Sequence, residues 1–202
     1  ASGGVITLDT TVATVDLATS AVGDIDIDET DAITLSSVTT SDGSITVDAG
    51  GAITATLVDS SATDNDANDI SLATTSGDIS VVSVTAGGTN DVTLTASSAI
   101  TEDTDATTVV TADELMATAG GSITLDTTVA SIEASSTISG AIDIDETDSL
   151  VLNNLTTSDG SIAIDAAGAI TADKSTISAS SMIAMAAGEY VLFIEDVTLT
   201  SG

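Results

Sequence analysis

The residues best able to do chemistry lie in one seven-residue phrase, IDIDETD, found at Ile25–Asp31 and again, letter for letter, at Ile142–Asp148. On an extended strand with Ile25 and Ile27 facing inward, Asp26 and Asp28 face outward, about 7 Å apart. Glu29 and Asp31 then follow in the turn, and Asp143, Asp145, Glu146 and Asp148 repeat the set. Converging carboxylates are hard oxygen ligands suited to Ca²⁺, which takes about six to eight oxygens. These eight acids are the candidate metal ligands, with Ca²⁺ as the candidate cofactor. The competing reading is a solvated acidic face that keeps the chain soluble and holds no particular ion. Neither the EF-hand consensus nor the glycine-rich nonapeptide of calcium-binding β-rolls is met.

Other chemistry is hard to assemble. The chain has no His, Cys, Trp or Arg, so Ser/His/Asp and Cys/His nucleophile systems are excluded. Paired carboxylates can hydrolyse glycosides, and some β-helices cleave acidic polysaccharides. Here no Arg would hold an anionic substrate and no aromatic platform would stack a sugar. Among 32 acids, adjacent pairs are certain to occur and carry little meaning. No catalytic residue is expected, and the chain reads as a non-enzyme.

Charge narrows the partners. A formal net charge of -31, with Lys174 as the only base, leaves nothing to neutralise phosphates, so nucleic acid is excluded. An anionic membrane surface would repel the chain, and no run approaches the roughly 20 apolar residues of a membrane span. Cations, further copies of the chain, glycans or a surface protein remain. Disorder is a common outcome of such charge, but 42% of the residues are hydrophobic and they recur regularly. The absence of an initiator Met and of a signal-peptide pattern suggests a processed or excised piece.

The elements that must position the acids are short and alternating: Val5–Leu8, Ile25–Asp28, Ile33–Leu35, Ile45–Val47, Ile70–Leu72, Val92–Leu94, Ile123–Leu125 and Ile162–Ile164. Apolar and polar residues at period two mark half-buried strands, and Val, Ile and Thr suit a pleated surface. Ser41-Asp42-Gly43, Gly50-Gly51, Ser76-Gly77-Asp78 and Gly87-Gly88 break the runs as turns. No stretch carries a helical stripe.

A longer period overlies this one. GGVITLDTTVA at Gly3–Ala13 returns as GGSITLDTTVA at Gly120–Ala130, TTSDGSI at Thr39–Ile45 returns at Thr156–Ile162, and GAITA at Gly51–Ala55 returns at Gly168–Ala172. The offset is 117 residues throughout, and 33 of the 53 positions from Gly3 to Ala55 match without a gap. Such self-similarity marks stacked repeats. Together with the very short strands and the near absence of bulky aromatics, it favours a β-solenoid over a sandwich array. About ten rungs of about 20 residues are expected, six of them to the 117-residue period.

The G-x-I-T-L-D and G-A-I-T-A phrases, as at Gly121–Asp126 and Gly168–Ala172, resemble the haemagglutinin-type repeats of large bacterial exoproteins. Filamentous haemagglutinins and related autotransporter adhesins are the type examples. The resemblance implies an all-β, right-handed parallel β-helix, secretion to the cell surface, and a role in adhesion or matrix building. Extreme acidity and the lack of the family's amino-terminal secretion domain set this chain apart from it.

The expected organisation is a single solenoid over 1–202, with a first super-repeat at 1–117, a partial second at 118–202 and a divergent end at 175–202. That end holds the densest apolar runs, Met182–Met185 and Tyr190–Ile194. It reads either as differently packed rungs or as an end face that meets another protomer or caps the core. Asn65–Asp69 and Glu102–Asp105 read as acidic loops leaving the rod. T-x-T phrases at Thr54–Thr56, Thr93–Thr95 and Thr198–Thr200 resemble the threonine ladders of ice-binding solenoids, but do not recur at one rung spacing. Thr is then the default outward residue. Lys174 is expected to pair with a neighbour such as Asp173, and Tyr190 to pack its ring with the hydroxyl satisfied. The function expected is that of a non-catalytic extracellular segment or subunit of a fibrous surface protein, stacking end to end into a filament. The alternative is an adhesin module that binds a glycan or protein through an acidic loop, around Asp64–Asp69.

Overall fold

A computed structural model describes residues 3–65, 67–102 and 109–202. Asp66 and Asp103–Asp105 of the expected acidic loops lie outside the described residues. The described chain is all strand and turn, without helix, and winds through about nine turns of a parallel β-solenoid.

The first turns contain β1 (Ile6–Thr10), β2 (Thr14–Ala18), β3 (Ile25–Glu29), β4 (Ile33–Thr39), β5 (Ile45–Ala49), β6 (Ile53–Ala55) and β7 (Val58–Asp59). The middle holds β8 (Ile70–Thr74), β9 (Ile79–Val81), β10 (Ser83–Thr85), β11 (Val92–Ala96), β12 (Ile100–Glu102), β13 (Val109–Ala119) and β14 (Ile123–Ser136). The last turns contain β15 (Ile142–Glu146), β16 (Leu150–Thr157), β17 (Ile162–Ala166), β18 (Ile170–Ala179), β19 (Ile183–Ala187), β20 (Val191–Phe193) and β21 (Thr198–Ser201). Turns such as β5–β6–β7 and β8–β9–β10 have three short segments, longer strands such as β14 run across corners, and the pairings between turns are parallel, so the rod has three faces.

The first face stacks β1, β3, β5, β8, β11 and the end of β13, with Ile6, Ile25, Ile45, Ile70, Val92 and Leu115 in one column. The second face stacks the start of β4, β6, β9, β12, the start of β14, β15, β17 and β19. Its column is made of isoleucine alone, from Ile33 to Ile183. On the third face Val38, Val58, Val84 and Val110 stand in line.

Alternation produces this core. Ile25 and Ile27 are fully buried while Asp26 and Asp28 lie outside. Ile45/Val47, Ile70/Leu72 and Ile142/Ile144 repeat the arrangement. A buried Ile or Leu contributes roughly 1.5–3 kcal/mol. The narrow interior leaves little room for aromatics: Tyr190 is 56% exposed, which corrects the expectation of a packed ring. Corners close tightly between turns. Gly77 adopts φ 114, and a Cβ there would sit 2.9 Å from the Ala52 backbone nitrogen. A side chain is excluded by both conformation and space.

The 117-residue period is not a whole number of turns. Five turns carry the Ile6 column to Leu115 on the first face, and Ile123, the counterpart of Ile6, then lies over Ile100 on the second face. Each super-repeat therefore advances five turns and one face, where six rungs were expected.

Candidate functional site

The rotation by one face decides where the acids fall. On the first face Asp9, Asp28 and Asp48 stand in register on β1, β3 and β5. On the second, Asp126, Asp145 and Asp165 do so on β14, β15 and β17. Adjacent parallel strands are about 4.8 Å apart, so each trio is a column of like charges with no base inside it. Both columns end on an alanine, Ala73 in the first and Ala186 in the second. Shallow grooves run beside them. One, of about 260 Å³, is lined by Asp9, Asp28, Glu29, Thr30 and Asp48. The other, of about 300 Å³, is lined by Asp143, Asp145 and Asp165 together with alanines and Met185.

Asp145 feels the crowding. Burial raises its pKa above the ordinary carboxylate value, and Asp126, Asp143 and Asp165 raise it further. Asp26 and Asp143 occupy the neighbouring outward column, where Asp26 stands between Thr7 and Thr46, and Asp143 between Thr124 and Ala163.

Glu29 and Glu146 belong elsewhere. They are the last residues of β3 and β15, both are 4% exposed, and both turn inward rather than into the turn. Glu29 accepts the Val12 N–H (2.9 Å) and the Asp31 N–H (3.2 Å). Glu146 accepts the Val129 N–H (3.0 Å), the Thr127 hydroxyl (2.9 Å) and the Asp148 N–H (3.1 Å). Each carboxylate thus ties a corner of its own turn to the preceding one. Burial raises the pKa of Glu146, and these three hydrogen bonds work against the rise. Asp31 and Asp148 are held through their backbones, with exposed side chains. The four acids of each IDIDETD phrase are therefore divided among outer face, interior and turn. No group of three or more acids poised to hold a metal ion occurs among the described residues.

Many remaining acids also act as fasteners. The carboxylates of Asp24, Asp69, Asp78 and Asp91 accept the backbone N–H of Ser44, Asp91, Ala99 and Glu114, each one turn further on, at 2.9–3.1 Å. Asp173, the expected partner of Lys174, accepts the Glu195 N–H in the same manner. Hydrogen bonds to a charged acceptor contribute about 1.5–3 kcal/mol each. Part of the acidity is therefore architectural, a use that composition alone does not disclose.

Two further features escape sequence reading. The outward residues Thr14, Thr34, Thr54, Ser80, Thr101 and Thr124 form one unbroken hydroxyl column on the second face. Turns of unequal length conceal it from any search at fixed spacing. In the Asp64–Asp69 loop, Asp64 accepts from the Thr89 hydroxyl (2.7 Å) and the Asn90 amide (3.2 Å) of the next turn. Asn68 and Asn90 are buried beneath it and joined through the Asn68 N–H. Comparison with protein families, with curated proteins and with solved structures finds no match for this chain.

Proposed function

We propose that this chain is a non-catalytic rod segment or subunit of an extracellular fibrous surface protein, akin to the filamentous-haemagglutinin type, which lengthens by stacking end to end. The observation that carries the reading is the contrast between inner turns and the last one. Ala172 and Ile177 are fully buried, whereas Phe193 and Leu199, the next residues in their columns, are 42% and 50% exposed. Val191 and Ile194 add to the same apolar surface. A covering turn would gain part of the roughly 1.5–3 kcal/mol available per apolar side chain and would pair open strand edges. Cations, Ca²⁺ first, are proposed to gather along the outward Asp columns as loosely held counter-ions.

Sedimentation and negative-stain microscopy in about 1 M NaCl, which shortens the Debye length to about 3 Å, test the proposal. Rods in multiples of one length are expected, and Phe193→Asp with Leu199→Asp should leave single rods. Monomers at every concentration would overturn it. One observation favours a second reading, an adhesin module: hydrogen bonds from Thr89 and Asn90 of the next turn fix the Asp64 carboxylate. Single rods that retain a glycan or protein ligand, and lose it in Asp64→Ala, would support that reading instead.

A further inference from the structure

Resting on the stacking proposal, we infer that the second copy docks with β1 on β19, Ile6 over Ile183, so that each copy is turned by one face relative to the last. The chain contains its own precedent for this junction. Residues 3–13 and 120–130 differ only at Val5 and Ser122. β14 pairs with β15 as β1 pairs with β3, Ile123 opposite Ile142 and Ile6 opposite Ile25. On its other edge β14 lies on β12, with Ile123 over Ile100. The corresponding edge of β1 has no partner strand among the described residues, so the precedent assigns it a second-face strand carrying Ile at that level.

The second-face column meets this requirement at its open end. It runs through Ile100, Ile123, Ile142 and Ile162 to the half-buried Ile183 on β19. Ile6 of the next copy would extend it, with Leu8 over Met185 inside and Thr7 over Ala184 outside. Asp9 would fall over Ala186, so the acid column of one copy is separated by an alanine from that of the next. The sequence of three acids and one alanine would then continue across the junction.

The other two faces fit less well. On β20, Leu8 would meet Phe193, but Asp9 would lie against Ile194 and Thr10 against Glu195. On β21, with Ile6 over Val197 and Thr7 over Thr198, Leu8 would meet Leu199 inside and Asp9 would lie over Thr200, but neither the isoleucine column nor the order of three acids and one alanine would continue. Only β19 continues both the isoleucine column and the order of three acids and one alanine.

The native chain has no cysteine, which permits disulfide mapping. Strands directly opposite in a parallel pair are about 4.8 Å apart, within the roughly 4.4–6.8 Å Cα range of disulfides. Thr7→Cys, carrying an affinity tag, is mixed in high salt with Ala184→Cys, Leu192→Cys or Thr198→Cys, which report β19, β20 and β21. Oxidised heterodimer is expected for Ala184→Cys at about ten times the yield of either other pair. A dominant Leu192→Cys or Thr198→Cys product would overturn the β19 register and leave end-to-end stacking intact. No heterodimer with any of the three would overturn both.

Discussion

The phrase IDIDE folds twice, and its two copies meet different surroundings. In both, the isoleucines are sealed in the core, the aspartates face out and the glutamate turns in. β3 rests on β1, the first strand described, whereas β15 rests on β14, which is itself covered by β12 and β13. Glu29 reaches a corner at Val12 whose side chain is 42% exposed, while Glu146 reaches one at Val129 that is 3% exposed. Local alternation thus fixes which way each residue points, and the neighbouring turn fixes how much that direction is worth. This is the nearest-neighbour behaviour of stacked repeats.

The largest expected difference between the two regions is in the core. Ile123→Ala removes a fully buried side chain and should cost about 2–5 kcal/mol. Ile6→Ala, in the same ITLDTT context but only half-buried, should cost about 1 kcal/mol or less. Urea unfolding of the two variants measures both. Equal costs would mean that the first turn is covered as completely as an inner one, and the comparison would fail.

A smaller contrast is expected at the corners. Glu146→Ala leaves the Val129 and Asp148 N–H groups without their acceptor and the Thr127 hydroxyl with only the Asp145 carbonyl, at 3.4 Å, at about 2–4 kcal/mol in total. Glu29→Ala strands two N–H groups beside an exposed corner where water can replace the carboxylate, and should cost about 1–2 kcal/mol. Amide hydrogen exchange at Val129 and Val12 gives a local readout: protection should collapse at Val129 and change little at Val12.

Much of this was legible in the residues, and what was not has physical reasons. Period-two alternation gave the strands, and the 117-residue offset with few aromatics gave stacked turns rather than a sandwich. The same alternation, extended from Ile25 and Ile27 by one more step, points Glu29 inward. A buried carboxylate is costly enough that a turn position was the more natural reading, and its compensating N–H donors come from Val12, a whole turn away. The Thr column was hidden because Ile33, Ile53, Ile79 and Ile100 are unevenly spaced in the chain although evenly stacked in space. The rotation of the second copy onto another face was equally invisible, since it depends on the summed lengths of five turns.

The smallest effect, and the most diagnostic for the acid columns, concerns charge. Burial first, then Asp126, Asp143 and Asp165, raise the pKa of Asp145 from 3.8. Glu146 is raised from 4.5 and Asp91 from 3.8, again chiefly by burial. For a carboxylate raised on folding, the protonated form favours the folded state. Its contribution is complete below the unfolded pKa and lost as pH rises through the folded one. In low salt, Tm at pH just below about 4 should therefore exceed Tm at pH about 7.5 as far as these groups decide it. Asp145→Asn should raise Tm at neutral pH by about 1–3 °C, because the site is largely exposed and the repulsion partly screened, and should flatten the pH dependence. About 1 M NaCl should reproduce most of that gain by shortening the Debye length to about 3 Å. If Ca²⁺ gathers along the columns, about 1 mM should raise Tm more than NaCl of equal ionic strength, EDTA should reverse the rise, and Asp145→Asn should reduce it. A Tm indifferent to pH, salt and Ca²⁺ would mean that the stacked aspartates do not repel one another appreciably. The two copies would then differ only in how well their cores and corners are covered.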